Sequence, residues 1–164
     1  MSVRKPKLIV FDLDWTLWPF HVDTNVDPPF TKLPNGKVVD RRKREIEHFP
    51  EIPAILERLV SEGYKVGVAS RTGEIKGAEQ LLQLFDWNKY FSFKEIYPGC
   101  KKTHFSKFKK NSGLDYSEML FFDDEYRNIR DLVSIGVCSI LVDEGVDSSV
   151  IEEGLRKFSE GKLQ

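Results

Sequence analysis

The chain has 164 residues, of which 40% are hydrophobic and 12% aromatic, enough to bury one sizeable core and too few for two ordinary domains. Its 25 basic and 26 acidic residues leave a formal net charge of -1, which excludes a global field that would draw the chain to nucleic acid or to a membrane. We therefore expect one domain over residues 1–164 that acts as a monomer through local sites.

The first apolar run of the chain begins after Lys7 and is interrupted by Asp12. This run is too short for the core of a signal peptide or for a membrane span. The two cysteines, Cys100 and Cys138, fit neither a disulfide framework nor a metal-binding pair. We expect a cytoplasmic protein with reduced thiols and no membrane partner.

Short apolar runs typical of β-strands alternate along the chain with segments of helical period. The predicted strands are 7–11, 65–69, 93–97, 119–122 and 138–142, and the predicted helices are 52–60, 75–85, 129–135 and 146–163. This alternation indicates an α/β fold, and the apolar strands suit a Rossmann-like, doubly wound parallel sheet that is covered on both faces. A ligand crevice is expected at the carboxyl ends of its strands.

Residues 19–50 break this alternation and contain five prolines. Within them, Asn35-Gly36 lies between two short extended runs, a pattern typical of a β-hairpin. Because the segment follows the first strand, we expect a small flap beside the crevice. The chain has little room for a full cap domain.

Polar side chains follow four of the predicted strands. They are Asp12-Leu13-Asp14 after the first strand, Ser70-Arg71-Thr72 after the second, Lys101 beyond the third and Asp123-Asp124 after the fourth. The carboxylates can hold a hard divalent cation, and the hydroxyl and ammonium groups can bind the oxygens of a phosphoryl group. Together they indicate phosphoryl-transfer chemistry.

Each of these groups alone also has a structural interpretation. Ser70 could cap the helix predicted to start near Thr72, and the acidic pair could simply open the next helix. Lys101 begins a basic stretch, 101–110, of the kind that usually forms a solvated helix face. The functional interpretation depends on the joint placement of the groups at neighbouring strand ends.

The four groups, in this order, resemble the motifs of the haloacid dehalogenase superfamily of aspartate-nucleophile phosphatases. Its first motif, DxDx[TV], corresponds to Asp12-Leu13-Asp14-Trp15-Thr16. With the strings "DLDWTLWPF", "ASRT", "EIYPG" and "FFDDE", the chain is most similar to the eukaryotic magnesium-dependent phosphatases, a branch without a full cap. The resemblance covers residues 7–142.

The resemblance implies roles for the two aspartates of the first motif. Asp12 would attack phosphorus and form an aspartyl-phosphate. Asp14 would protonate the leaving oxygen and later deprotonate the attacking water. A Mg²⁺ ion would be held by the Asp12 side chain, the Asp14 carbonyl and one carboxylate of the acidic pair, for which we favour Asp124, with Asp123 behind it.

The same resemblance assigns the phosphoryl oxygens to Ser70, Lys101 and backbone N–H groups near Leu13. Thr16 would brace the first loop. Arg71 lies outside the minimal motif set, so both a grip on phosphate or substrate and a surface salt bridge stay open for it. The aromatic group Trp15, Trp18, Phe20 and His21 could form a wall for the leaving group or pack into the core.

Rival functions fit the sequence less well. A response-regulator receiver would place its acidic pair after the first strand, and a dehalogenase would not need Asp14, because halide leaves without a proton. A non-catalytic module that binds phosphate or nucleic acid through basic patches such as Arg41–Arg44 is the alternative, although Asp12 and Asp14 would repel its ligand. An open crevice predicts bulky phosphomonoesters, either phosphotyrosine in proteins or a sugar phosphate carried on an amine.

Overall fold

The computed structural model describes residues 3–164. The strands are β1 (Leu8–Phe11), β2 (Thr31–Lys32), β3 (Val38–Val39), β4 (Lys65–Ser70), β5 (Phe91–Ile96), β6 (Met119–Asp123) and β7 (Cys138–Leu141). The α-helices are α1 (Ile52–Ser61), α2 (Ile75–Leu84), α3 (Lys101–Ser112), α4 (Tyr126–Val133) and α5 (Ser148–Ser159). None of the helices in this range combines the length and the apolar character needed to cross a membrane.

Five strands form one parallel sheet in the order β5-β4-β1-β6-β7, which confirms the predicted doubly wound α/β fold. The central strand, β1, pairs with β4 on one side and β6 on the other, so that Phe11 lies opposite both Val68 and Phe122. The strand order reverses between β1 and β6. The carboxyl ends of these strands therefore flank the point where ligands bind in such sheets.

The two faces of β1 contribute to two separate hydrophobic clusters. Ile9 and Phe11 pack on the side that also buries residues of α1, α2 and α5. Leu8 and Val10 pack on the opposite side with residues of α3 and α4. Helices therefore cover both faces, which is why the central strand is apolar at every position.

The predicted element boundaries differ from the observed ones where local capping decides them. The last helix was expected from residue 146, but it begins at Ser148 because the Asp147 carboxylate accepts a hydrogen bond from the Val150 amide at 2.9 Å. It ends at Ser159, before Gly161, which has a positive φ of 74°. Strand β5 also begins and ends earlier than predicted.

The hairpin predicted within residues 30–39 is present, with β2 and β3 antiparallel. Gly36 supplies the positive φ of 88° in the connecting turn. Phe30 and Val38 are buried in the larger cluster, and the Phe30 amide donates a 2.6 Å hydrogen bond to Gln80 of α2. These contacts hold the hairpin against α2.

Candidate active site

The loop after β1 carries Asp12 at the centre of the sheet edge. The Asp12 amide still bonds to the Phe122 carbonyl of β6 at 3.0 Å, so the residue continues the strand. A tight turn follows, in which the Thr16 and Leu17 amides both donate to the Leu13 carbonyl. The turn returns the Thr16 hydroxyl to Asp12, to which it donates a 3.2 Å hydrogen bond, as expected for a bracing residue.

Lys101, the first residue of α3, lies in the interior rather than on a solvated face. Its ammonium contacts the carboxylates of Asp12 at 2.8 Å and of Asp123 at 2.6 Å. Only 1% of Lys101 is exposed, because these two carboxylates replace its hydration. The prediction that the stretch 101–110 forms a solvated helix face is confirmed for its other lysines, but it is wrong for Lys101.

The structure brings Asp12, Asp123 and Asp124 together, with one carboxylate oxygen of each within 4.8 Å of the others. If all three are ionised, the single ammonium of Lys101 leaves two negative charges uncompensated. A cluster of oxygen donors with this excess charge fits a hard divalent cation. The donor set therefore suits the predicted magnesium ion.

The two members of the acidic pair have different surroundings. Asp123 is fully buried and accepts hydrogen bonds from Asn128 Nδ2 at 3.0 Å and from the Glu125 amide at 2.9 Å, besides its ion pair with Lys101. Asp124 is only partly buried and faces the crevice. Its oxygens have fewer competing partners, which is consistent with Asp124 as the ligand and Asp123 behind it.

The carboxyl groups of this cluster have perturbed pKa values. Burial and the charge of Asp123 raise the pKa of Asp12 well above its usual range, although Lys101 acts to lower it. Burial raises the pKa of Asp124 to about 6. A bound cation would stabilise the ionised forms, so these shifts agree with a site that is built around one.

Asp14 is held apart from the three clustered carboxylates. One of its oxygens accepts hydrogen bonds from the Trp18 indole at 2.8 Å and from the Val22 amide at 3.0 Å. His21 lies 3.7 Å from its other oxygen. Burial raises the pKa of Asp14, which favours a carboxyl group that can both hold and release a proton.

Ser70 ends β4 and is 1% exposed, at the edge of the same crevice. Its hydroxyl accepts a 3.2 Å hydrogen bond from the Thr72 amide, but it does not cap α2. That helix begins later, where Glu74 accepts from the Gly77 amide. The helix-cap interpretation of Ser70 is therefore wrong, and its hydroxyl proton can still be donated to a ligand.

Arg71 also lines the crevice, and it makes no salt bridge with any carboxylate of residues 3–164. Its Nη1 donates a 3.1 Å hydrogen bond to the neutral Asn128 side chain instead. Of the two interpretations of Arg71, the surface salt bridge is thus wrong. The guanidinium keeps its charge available at the mouth of the site.

The crevice has a volume of about 130 Å³. Its lining residues are Asp12, Asp14, His21, Asp23, Ser70, Arg71, Thr72, Lys101, Asp124, Glu125, Arg127 and Asn128. The strands of the β-hairpin are not among them, whereas the insertion that carries the hairpin contributes His21 and Asp23. The hairpin itself is tied to α2 by the hydrogen bond from the Phe30 amide to Gln80.

The aromatic group after the first motif divides between core and surface. Trp18 and Phe20 are buried and stack on each other with ring centroids 5.4 Å apart. Trp15 is 41% exposed, adopts a left-handed φ of 59° and meets the ring of His21 edge-on. Of these four residues, only His21 lines the crevice, and the exposed Trp15 contacts His21.

Two buried polar residues of this region were not identified from the sequence. Asn128 accepts a hydrogen bond from Arg71 and donates one to Asp123. It lies on the first turn of α4, five residues after Asp123. His104 is fully buried one helical turn after Lys101. Neither residue belongs to a recognisable motif, so only the i+3 spacing of His104 from Lys101 was available as a signal.

Comparison with known proteins agrees with this geometry. A family model described as Acid Phosphatase matches residues 4–161. Magnesium-dependent phosphatase 1 of Homo sapiens is 50% identical over 159 residues, which cover 97% of this chain and 90% of that protein.

A HAD-like hydrolase superfamily protein of Schizosaccharomyces pombe is 40% identical over 147 residues, 83% of this chain and 85% of that protein. The crystal structure of CbbY from Rhodobacter sphaeroides in complex with phosphate has the same fold, with a TM-score of 0.65 at 14% identity over 92% of this chain and 99% of that one. The chain therefore belongs to the Acid Phosphatase family and is a haloacid dehalogenase superfamily phosphatase of the magnesium-dependent type.

Proposed function

We propose that the protein is a Mg²⁺-dependent phosphomonoesterase that works through an aspartyl-phosphate on Asp12. The supporting observation is the placement of this buried carboxylate, which points into the crevice between Lys101 and the Thr16 hydroxyl. Lys101 bonds to one oxygen of Asp12 and Thr16 to the other, so the carboxylate is held in one orientation at the crevice. A nucleophile held in this way needs little reorganisation to react.

The proposed reaction has two steps on phosphorus. An oxygen of Asp12 attacks, the bond from phosphorus to the leaving oxygen breaks, and protonated Asp14 gives its proton to that oxygen. Asp14 then takes a proton from water as the water attacks the aspartyl-phosphate, which releases phosphate and regenerates Asp12. The raised pKa of Asp14 supports this exchange of roles.

Side chains at the end of β4 and after β5, together with a backbone amide after β1, would bind the phosphoryl oxygens. Ser70 and Lys101 supply a hydroxyl and an ammonium, the amide of Leu13 lies in the turn after Asp12, and Arg71 adds a second positive charge at the mouth. The cation would be held by the Asp12 and Asp124 carboxylates and the Asp14 carbonyl. When bound, Mg²⁺ supplies positive charge that stabilises the transferring phosphoryl group.

The small volume of the crevice supports a broad substrate range. Its volume of about 130 Å³ is well below the ~300–1,000 Å³ of pockets that enclose a whole small molecule. The phosphoryl group would therefore be enclosed, and the rest of the substrate would lie outside, against Trp15 and His21. This arrangement suits phosphotyrosine in a protein or a sugar phosphate carried on an amine.

The cysteines and the paired surface charges support our proposal for the location and the partners of the protein. Cys100 is an exposed free thiol and Cys138 a buried one, as expected in the reducing cytoplasm. In the basic run, Arg42 and Arg44 are paired with Asp27, and Arg44 also with Asp40, so two of its four cations are already engaged by carboxylates. We propose a monomer without a nucleic-acid or membrane partner.

Asp12→Asn tests the proposed mechanism directly. The variant should keep its fold, since the amide is isosteric, and lose at least ~10⁴-fold in kcat because the nucleophile is gone. Turnover of aryl phosphates, phosphotyrosine and phosphoserine peptides and ketosamine phosphates with Mg²⁺ would be measured for the wild type and the variant. Trapping a phosphorylated Asp12 in the wild type supports the intermediate, whereas full activity of the variant rules it out.

A further inference from the structure

His104 is a fully buried histidine with no place in the proposed chemistry. It lies on α3, three residues after Lys101, and its ring reaches the end of β4. The Nε2 atom is 2.8 Å from the carbonyl oxygen of Ser70 and 2.8 Å from that of Tyr97. Nδ1 is 3.3 Å from the Cys100 carbonyl.

These neighbours determine that Nε2 of the imidazole is a hydrogen-bond donor. A carbonyl oxygen can only accept a hydrogen bond, so Nε2 must carry a proton and donate it to the pair formed by Ser70 and Tyr97. The Ser70 carbonyl also accepts a 3.0 Å bond from the Tyr97 amide. His104 thus completes the bonding of the backbone that carries the Ser70 hydroxyl.

The ring of His104 is itself held in place. It stacks on the Tyr97 ring with centroids 4.2 Å apart and an angle of 15° between the planes. Its own helix begins with Lys101, whose ammonium is fixed by two carboxylates. One side chain therefore connects the loop after β5, the end of β4 and the first turn of α3.

We infer that His104 is a positioning residue that sets the distance between the Ser70 hydroxyl and the Lys101 ammonium, and so the affinity of the site for the phosphoryl group. The inference rests on the proposed role of these two residues as phosphate ligands. The hydrogen bonds of His104 go to backbone carbonyls and not to the carboxylates of Asp12, Asp123 and Asp124. Its loss should weaken phosphate binding and leave magnesium binding unchanged.

The test is a calorimetric titration of folded protein with inorganic phosphate in the presence of Mg²⁺, and separately with Mg²⁺ alone. His104→Phe keeps a stacking ring and removes the donor, so the phosphate Kd should rise roughly tenfold. His104→Gln returns an N–H at a similar reach and should stay within about threefold of the wild type. The Mg²⁺ Kd should stay the same in both variants.

Two further variants guard against a loss of stability and against a failure of His104→Phe to fold. Leu56→Ala opens a cavity on the opposite face of the sheet, and it should lower the melting temperature without changing either Kd. If His104→Phe does not fold, His104→Asn, whose amide is too short to reach both carbonyls, takes its place against His104→Gln.

The outcomes separate this inference from the proposed function. Equal effects of His104→Phe on the phosphate and Mg²⁺ Kd, or none on either, would overturn the positioning role while Ser70→Ala still weakens phosphate binding. If Ser70→Ala leaves the phosphate Kd unchanged, the proposed phosphate ligand is wrong, and the inference fails with it.

Discussion

The two aspartates of the first motif lie two residues apart, and their surroundings differ in kind. Asp12 is surrounded by charged groups, the Lys101 ammonium and two further carboxylates. Asp14 is bonded by neutral donors, the Trp18 indole and the Val22 amide. The Lys101 ammonium and a bound cation favour the ionised form of Asp12 against the two neighbouring carboxylates, whereas neutral donors suit a carboxyl group that must change its protonation state.

This contrast shows how one short loop can carry two different chemistries. Burial raises the pKa of both residues, so burial alone does not distinguish their roles. The distinction comes from the partners, which other parts of the chain supply to Asp12 and the loop itself supplies to Asp14. Variants that change those partners test the comparison.

Replacing Lys101 should have the largest effect, since it removes the one ammonium that pairs with Asp12 among residues 3–164. Lys101→Met leaves buried carboxylates unpaired, and we expect a loss of ~3–5 kcal/mol in the free energy of unfolding at pH 7. Chemical denaturation would measure this loss, and kcat should fall as well. The deficit should shrink at low pH, where the acids are protonated, and a constant deficit from pH 4 to 8 would contradict the pairing.

Magnesium should stabilise the fold through the same cluster, by ~2.7 kcal/mol at a hundredfold excess over its Kd. Asp124, with a pKa of about 6, must be ionised to bind, so the stabilisation should be larger at pH 8 than at pH 5. Without the ion the sign reverses: an acid whose pKa is raised on folding destabilises the folded state as the pH rises through that pKa.

Thermal unfolding with and without Mg²⁺ at the two pH values measures both effects. Asp124→Asn is the matched control, and it should lose most of the magnesium response. A stabilisation that is the same at pH 5 and pH 8 would exclude Asp124 as a ligand.

Trp18→Phe, which removes a hydrogen-bond donor to Asp14, should have an intermediate effect on kcat. The change keeps an aromatic ring for the stack with Phe20 but removes the indole donor. Because that bond lowers the pKa of Asp14, its loss raises the pKa, so the acidic limb of the kcat profile should move to higher pH. We expect kcat near neutral pH to fall roughly tenfold.

Pre-steady-state and pH-rate measurements would show the shift in Trp18→Phe. Phe20→Leu disturbs the same stack without touching Asp14, so its pH profile should keep its shape. A shifted limb in both variants would assign the effect to packing rather than to the hydrogen bond.

The smallest effect is expected for His21→Gln. The histidine lies 3.7 Å from Asp14 and its side chain is 45% exposed, so solvent screens the interaction. Turnover of an aryl phosphate should change by less than about twofold. A tenfold loss in kcat would show that His21 takes part in the proton transfer.

The strand pattern predicted the sheet and the residues at its carboxyl edge, because hydrophobic runs and polar strand ends are local features of sequence. The burial of Lys101 could not be predicted in this way. It depends on Asp12 and Asp123, which lie 89 and 22 residues away along the chain. The other lysines of the stretch 101–110, by contrast, are exposed.

The anchoring of the hairpin on α2 and the role of Asn128 could not be predicted, for the same reason. The turn sequence predicts a hairpin, but Gln80 of α2 and the apolar residues beneath determine where it lies. Asn128 acquires its meaning only when Arg71 and Asp123 come together around it. Both features depend on contacts between segments that are far apart in the sequence, which local sequence patterns do not reveal.

The small volume of the crevice has a kinetic consequence. When the enclosed part of the substrate is only the phosphoryl group, nearly all of the specific binding energy belongs to a group that the released product also carries. Inorganic phosphate then competes with the substrate on almost equal terms. The hydrolysis rate would follow the ratio of phosphate esters to free phosphate around the protein, and accumulated product would slow its own formation.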